Sequence, residues 1–281
     1  MVDNSKPDNQ SSDEQVAKEQ QKSLADSDLL PIDEHFEDVH HDGKKTRQKG
    51  IYLLPNLFTM AALFSGFYSI IAAMNGDFGN AGIAIFIAMV LDGLDGRVAR
   101  MTNTQSAFGA ELDSLSDMVS FGVAPALVVF TWGLAPMGRL GWAAAFIYMA
   151  CASIRLARFN TQIETADKRF FTGLASPAAA ALIAGLVWVC YGYGINKADV
   201  TAGFSAFVAL MTVIAGLLMI TNVPYHSFKG VDLHGRVPFI VFLAVVLVFA
   251  VVLVDPSTVL MGIFAIYALS GPVQWLLNKN K

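Results

Sequence analysis

The sequence is poor in charge, poor in cysteine and, over its first fifty residues, almost free of aromatics. Asp, Glu, Lys and Arg make up 15% of the 281 residues, against about 25% in an ordinary soluble domain. With 54% hydrophobic residues and a mean hydropathy of +0.51, this shortfall argues against a water-soluble globule of this length. The two cysteines, Cys151 and Cys190, both stand inside apolar runs. They make no disulfide framework, and nothing around them suggests a metal site. No basic segment followed by a short apolar one opens the chain, so no signal peptide is expected there.

The charges present are unevenly placed. Residues 1–50 hold 12 acids and 7 bases, and the other 231 residues hold 11 acids and 12 bases. The first 40 or so residues are polar and cannot bury enough apolar surface to offset the entropy of ordering. Residues 1–45 are therefore expected to form a disordered acidic cytoplasmic tail. The pair His40 and His41 reads as solvated rather than as a metal site.

From Ile51 onward, apolar runs dominate. Eight of them, roughly 52–74, 79–100, 114–133, 139–158, 174–194, 200–221, 237–254 and 257–276, have the length a helix needs to cross a bilayer. Lipid offers backbone groups no partners, so each run must satisfy its own as a helix. The expected fold is all-α, a polytopic transmembrane bundle of about eight spans. The last two runs are separated only by Asp255–Pro256 and should form a tight hairpin. Lys and Arg favour cytoplasmic loops. With the segment Lys44–Lys49 placed inside, fourteen basic residues fall on that side and only Arg139 and Lys197 on the other. Both termini are then cytoplasmic.

In such a body each carboxylate needs a reason. The second run ends Leu91-Asp92-Gly93-Leu94-Asp95-Gly96-Arg97-Val98-Ala99-Arg100, and the third is entered through Gly109-Ala110-Glu111-Leu112-Asp113-Ser114-Leu115-Ser116-Asp117. Spacings of three and four put each Asp pair on one helix face. Carboxylates at membrane ends must be paired, protonated or bound to metal. Arg97 and Arg100 could neutralise two of them, and one or two divalent cations the rest. Ligands that are all oxygen suit Mg²⁺ or Mn²⁺. The small residues Gly93, Gly96, Ala99, Gly109 and Ala110 remove bulk beside the carboxylates, for a ligand or for close helix packing. Ser114 and Ser116 have no nearby His to activate them and read as packing residues.

The pattern Asp92, Asp95, Gly96, Ala99, Arg100, then Gly109, Asp113 and Asp117 resembles the signature of the CDP-alcohol phosphatidyltransferases, with no departure in spacing. Leu54 to Thr59 is similar to the entry to that family's first helix. Ala152 to Asn160, Phe171 to Ala178, Tyr225 to Lys229 and Gly235 to Phe239 resemble the branch that uses serine as acceptor. One departure is Ala175, where that branch is expected to have proline. The likeness covers residues from about 50 to 240.

The resemblance implies a six-helix core, taken as 46–236, followed by a C-terminal hairpin and short tail, 237–281. It implies metal-dependent transfer of a phosphatidyl group from CDP-diacylglycerol to L-serine, in the cytoplasmic (inner) membrane, by a homodimer. On this basis Asp92, Asp95, Asp113 and Asp117 hold two ions, Mg²⁺ or Mn²⁺, and Asp117 is also the general base. Gly96, Ala99, Arg100 and Gly109 make room for or bind the nucleotide and phosphates. Arg155, Arg158 and Asn160 are candidates for holding the acceptor or the lipid phosphate, since guanidinium matches carboxylate and phosphate alike. No nucleic-acid partner is expected. The alternatives are another acceptor (glycerol phosphate, inositol phosphate or choline) or, from a different class, a divalent-cation transporter.

Overall fold

The computed structural model describes residues 36–41, 44–49, 53–102, 104, 106–162, 170–226 and 239–279. The chain divides into two compact units, Met1–Ile51 and Tyr52–Lys281. In the first, β1 (Phe36–His41) pairs antiparallel with β2 (Lys44–Lys49), with Asp38 opposite Arg47 and His41 opposite Lys44. The sequence reading placed an unstructured tail up to residue 45. Only Asp42–Gly43 stands between the strands in sequence, and Asp-Gly is a two-residue hairpin signal that hydropathy alone passes over. The rest of the expected tail, residues 1–35, lies outside the described residues.

The second unit is helical at the eight places where the apolar runs predict helices. These are α1 (Leu53–Met74), α2 (Phe78–Met101), α3 (Ala107–Met137), α4 (Arg139–Gln162), α5 (Ser176–Gly192), α6 (Ala202–Ile220), α7 (Phe239–Val254) and α8 (Pro256–Lys279). Five of them, α1, α3, α4, α6 and α8, are long and apolar enough to cross a membrane. The other three fall short for legible reasons. Helix α2 carries Asp92, Asp95, Arg97 and Arg100, whereas α5 has 17 residues and α7 has 16 among the described residues. The chain is a multi-pass membrane protein.

Local chemistry sets the helix starts. The Asp77 side chain accepts from the Asn80 amide at the head of α2, and Ser106 accepts from the Gly109 amide at the head of α3, at 3.1 and 3.0 Å. Helix α5 opens with Pro177 in its first turn, where the missing N–H costs nothing. Helix α3 is not uniform. It is α-helical to Asp117, π-helical over Met118–Val123, α-helical again over Ala124–Val129 and π-helical over Phe130–Leu134. Such wide turns mark functional positions more often than chance, and the first begins directly after Asp117.

Water-driven burial cannot join helices within lipid, so close approach and buried hydroxyls must do so. Ser65 and Ser69 of α1 donate to the carbonyls of Ala84 and Ala81 on α2, each at 2.7 Å. Ser116 and Ser120 of α3 donate back to Thr59 and Ala62 of α1, each at 3.1 Å. Tyr148 of α4 donates to the Phe121 carbonyl inside the π-helical turn at 3.0 Å. Glycines sit where backbones meet. A methyl group on Gly66 would come within 2.8 Å of Ser120 Cα, and one on Gly216 within 3.0 Å of Tyr148 Cα. Helix α5 is the most enclosed, with Ala179, Ala180, Ala181, Ile183, Ala184 and Val187 fully buried. It packs against α2, α3 and α8.

Two short strands, β3 (Phe170–Thr172) and β4 (Pro224–His226), pair antiparallel and tie the entry of α5 to the exit of α6. Gly173 follows β3 with φ +86° and packs against the carbonyls of Met219 and Thr221, so a side chain there meets both strain and backbone. Tyr225 of β4 is fully buried, lies against Gly271 and donates to the Ala268 carbonyl at 3.0 Å, which anchors α8.

Candidate active site

The site is built where the C-terminal half of α2 meets the first turns of α3. Asp92, Asp95 and Asp113 each offer a carboxylate oxygen, and these oxygens lie within 4.8 Å of one another. Asp117 is not in that trio but touches it, because its carboxyl lies within hydrogen-bonding reach of Asp92, as does that of Asp113. Asp95 is buried, and the other three are half-buried. Carboxyl groups brought this close must share protons or a cation. Three hard oxygen donors from two helices form a fitting set for a small divalent cation.

Of the sequence-predicted cationic partners, Arg97 and Arg100 are exposed. Arg100 lies over Gly96, with its guanidinium 4.0 Å from where a methyl group would stand. Among the described residues, Arg155 of α4 is the cation within electrostatic range of both Asp92 and Asp117. Arg155 also donates a short hydrogen bond to Ser176 at the start of α5. Arg158, one turn on, donates to Asn222 at 2.8 Å, and Asn160 donates through Nδ2 to Ser114 at 2.9 Å. Asn160 is thereby tied to the first turns of α3. The structure thus gathers Arg155 and Asn160 against the carboxylate helices and turns Arg158 toward the α6–β4 connection.

The small residues divide by surroundings. A methyl group added at Gly93 would meet nothing within 4 Å, and one at Gly96 only the tip of Arg100. A methyl group added at Gly109 would meet the Ser106 and Asn56 side-chain oxygens at 3.2 and 3.3 Å. Ala99 is half-buried one turn beyond Asp95. Space is therefore open beside Asp92 and Asp95.

Two residues of α1 belong to the site without standing in its sequence motif. Thr59 is buried and donates its hydroxyl to Asp95 Oδ2 at 2.8 Å, while its carbonyl accepts from Ser116. It therefore ties both carboxylate helices to α1. The Asn56 side-chain nitrogen is buried without a protein partner, beside Gly109. The available signal was two polar side chains inside an otherwise apolar entry to α1. Ser176 and Asn222 gave none, because their role depends on which arginine the fold brings to them.

The family model described as CDP-alcohol phosphatidyltransferase matches residues 52–270, and the chain belongs to that family. Among curated relatives, a protein of Helicobacter pylori named CDP-diacylglycerol–serine O-phosphatidyltransferase is 38% identical over 238 residues, covering 82% of this chain and 97% of the relative. Proteins of the same name are 33% identical in Methanocaldococcus jannaschii, over 80% of this chain and 96% of the relative, and 33% in Mycobacterium tuberculosis, over 68% and 67%.

Proposed function

We propose that this protein transfers a phosphatidyl group from CDP-diacylglycerol to the hydroxyl of L-serine, giving phosphatidylserine and CMP. The observation that carries the reading is the Asp92–Asp95–Asp113 trio beside open space and Arg155, inside the region that matches the family. The names of the relatives support serine as the acceptor.

The serine oxygen attacks the phosphorus that bears diacylglycerol, and the bond from that phosphorus to CMP breaks. Asp92, Asp95, Asp113 and Asp117 would hold the cations, two ions of Mg²⁺ or Mn²⁺. When bound, these neutralise the pyrophosphate and the departing phosphate. Asp117 takes the proton from the serine hydroxyl. The Arg155 guanidinium lies within electrostatic range of this carboxyl. Arg155 binds the lipid phosphate or the serine carboxylate, and Arg158 and Asn160 are the further candidates for that role. Gly96, Ala99, Arg100 and Gly109 bound the nucleotide site, and Asn56 offers it an unused donor.

We place the enzyme in the cytoplasmic membrane as a homodimer, with both termini and the carboxylates on the inner side. Residues 46–236 form its core and 237–281 a C-terminal hairpin with a short tail. The acidic tail, 1–45, is cytoplasmic.

The test is an acceptor screen on purified protein with CDP-diacylglycerol and labelled serine, glycerol phosphate, inositol phosphate or choline, under metal titration. Phosphatidylserine should form, EDTA should stop it, and Mg²⁺ or Mn²⁺ should restore it. Product with another acceptor alone would overturn the serine assignment. Cation flux across vesicles without consumption of the CDP-lipid would overturn the enzymatic one.

A further inference from the structure

Helix α3 widens twice, and each wide turn runs up to a proline. The π-helical turn Met118–Val123 ends two residues before Pro125, and the turn Phe130–Leu134 two residues before Pro136. Proline has no N–H to donate, and its ring collides with the carbonyl four residues back. For Pro125 that carbonyl belongs to Phe121. The hydrogen-bond ladder steps around it, and the Ala124 amide reaches back five residues to the Val119 carbonyl. The Phe121 carbonyl, without its α-helical donor, accepts the hydroxyl of Tyr148 at 3.0 Å. Phe121 and Tyr148 are both fully buried, so bulk water cannot take the place of that hydroxyl.

The first wide turn separates two unlike stretches of α3. Before it stand Asp113 and Asp117. After it come Ala124, Val128 and Val129, fully buried in the core. A π-helical turn holds about one residue more than an α-helical one, and one residue amounts to about 100° of rotation. Closing the turn to α-helix would therefore swing Asp117 by about that angle relative to its anchor in the core. Helix α4 meets α3 on both sides of this joint. Tyr148 bonds to the turn, and Arg155, seven residues on and so on the same face, lies within electrostatic range of Asp117. Helix α6 backs α4 closely at this level, through Gly216 against the Tyr148 backbone.

We propose that Tyr148 is a positioning residue: it clamps the turn that Pro125 opens in α3 and so sets the angle at which Asp117 meets the acceptor hydroxyl. The inference rests on the role given to Asp117 above. It assigns part of the rate to a buried phenol on another helix, far in sequence from the carboxylates.

Activity and helix geometry are measured separately. Tyr148→Phe keeps the ring and deletes the bond. Its kcat with labelled serine should fall by about tenfold, the scale of one hydrogen bond, while KM for CDP-diacylglycerol stays unchanged. Pro125→Ala restores a donor to the Phe121 carbonyl. It should lower kcat by about a hundredfold, the cost of misplacing a reacting group by about 1 Å. In that background the carbonyl no longer needs the phenol, so adding Tyr148→Phe should cost nothing more. Additive losses in the double variant, or a wild-type kcat in Tyr148→Phe, would overturn the proposal. Pro136→Ala, at the other wide turn, should leave kcat unchanged, and a loss equal to that of Pro125→Ala would also overturn it. Where Pro125→Ala does not fold, the kcat of Tyr148→Phe decides alone. Nitroxides on Leu115→Cys and Leu127→Cys report the geometry without turnover, since both positions are exposed and the native Cys151 and Cys190 are buried. Their separation should lengthen when Pro125→Ala is added, and an unaltered separation would overturn the proposal. A wild-type protein that forms no phosphatidylserine, with the separation shifting as expected, would instead overturn the assignment of function.

Discussion

The two halves of α2 use the same kinds of residue to opposite ends. From Phe78 to Ala88 the helix is packing surface, with Ala81, Ile85 and Ala88 fully buried and no charge. From Leu91 to Met101 only Asp95 is buried, and charges and glycines alternate. A methyl group on Gly82, in the first half, would come within 2.7 Å of Trp188 Cβ, whereas one on Gly93, in the second, would meet nothing within 4 Å. The first glycine lets another helix in, and the second leaves room for something that is not protein. Rigid packing in one half thus holds carboxylates in place in the other, as sites built on helices require.

The contrast breaks most sharply at the carboxylates. Asp113→Asn, or Asp117→Asn, should lower turnover by about a thousandfold or more, since each removes a ligand or the base. Asp117→Asn should still bind the nucleotide lipid in part. Turnover of labelled serine and binding of CDP-diacylglycerol measure the two effects, and a near-normal rate for Asp117→Asn would exclude the base role.

In the packing half, Gly82→Leu should destabilise the fold by about 1–3 kcal/mol through overpacking against Trp188. It should appear as a lower Tm in detergent, with the metal requirement unchanged. An undiminished Tm would show that the α2–α5 contact is looser than the structure has it.

Thr59→Val tests the link between the halves, because it keeps the shape and deletes the hydroxyl that holds Asp95. Removing such a support weakens metal affinity by about 10–100-fold. The metal concentration for half-maximal stabilisation against heat should rise accordingly, while Thr59→Ser restores it. Equal metal dependence in Val and wild type would reduce Thr59 to a packing residue.

The smallest effect should be Gly96→Ala. Its Cβ meets only the Arg100 tip at 4.0 Å, and alanine favours a helix over glycine by about 1 kcal/mol. Stability should hold or rise slightly while KM for CDP-diacylglycerol increases severalfold. An unchanged KM would move the nucleotide away from this face.

Much of this was legible one residue at a time. A bilayer imposes a length and a polarity on each span, so the apolar runs foretold where all eight helices fall, α5 and α7 included despite their shortness. The Asp spacings foretold a shared face. The hairpin of β1 and β2 went unread because its strands are polar and carry no hydropathy signal. The pairing of carboxylate with cation was misjudged because Arg97 and Arg100 are neighbours in sequence but point outward, whereas Arg155 arrives from another helix.

By itself, then, the sequence determined the helical membrane architecture and the identity of the carboxylates, because both follow from short-range periodicity and the cost of charge in lipid. Only the tertiary structure decided that α1 braces Asp95 through Thr59, that Arg155 rather than Arg100 faces the acids, and that Tyr225 anchors α8 through the Ala268 carbonyl. These depend on which helix faces which, and that is set by where glycines and hydroxyls allow two backbones to meet.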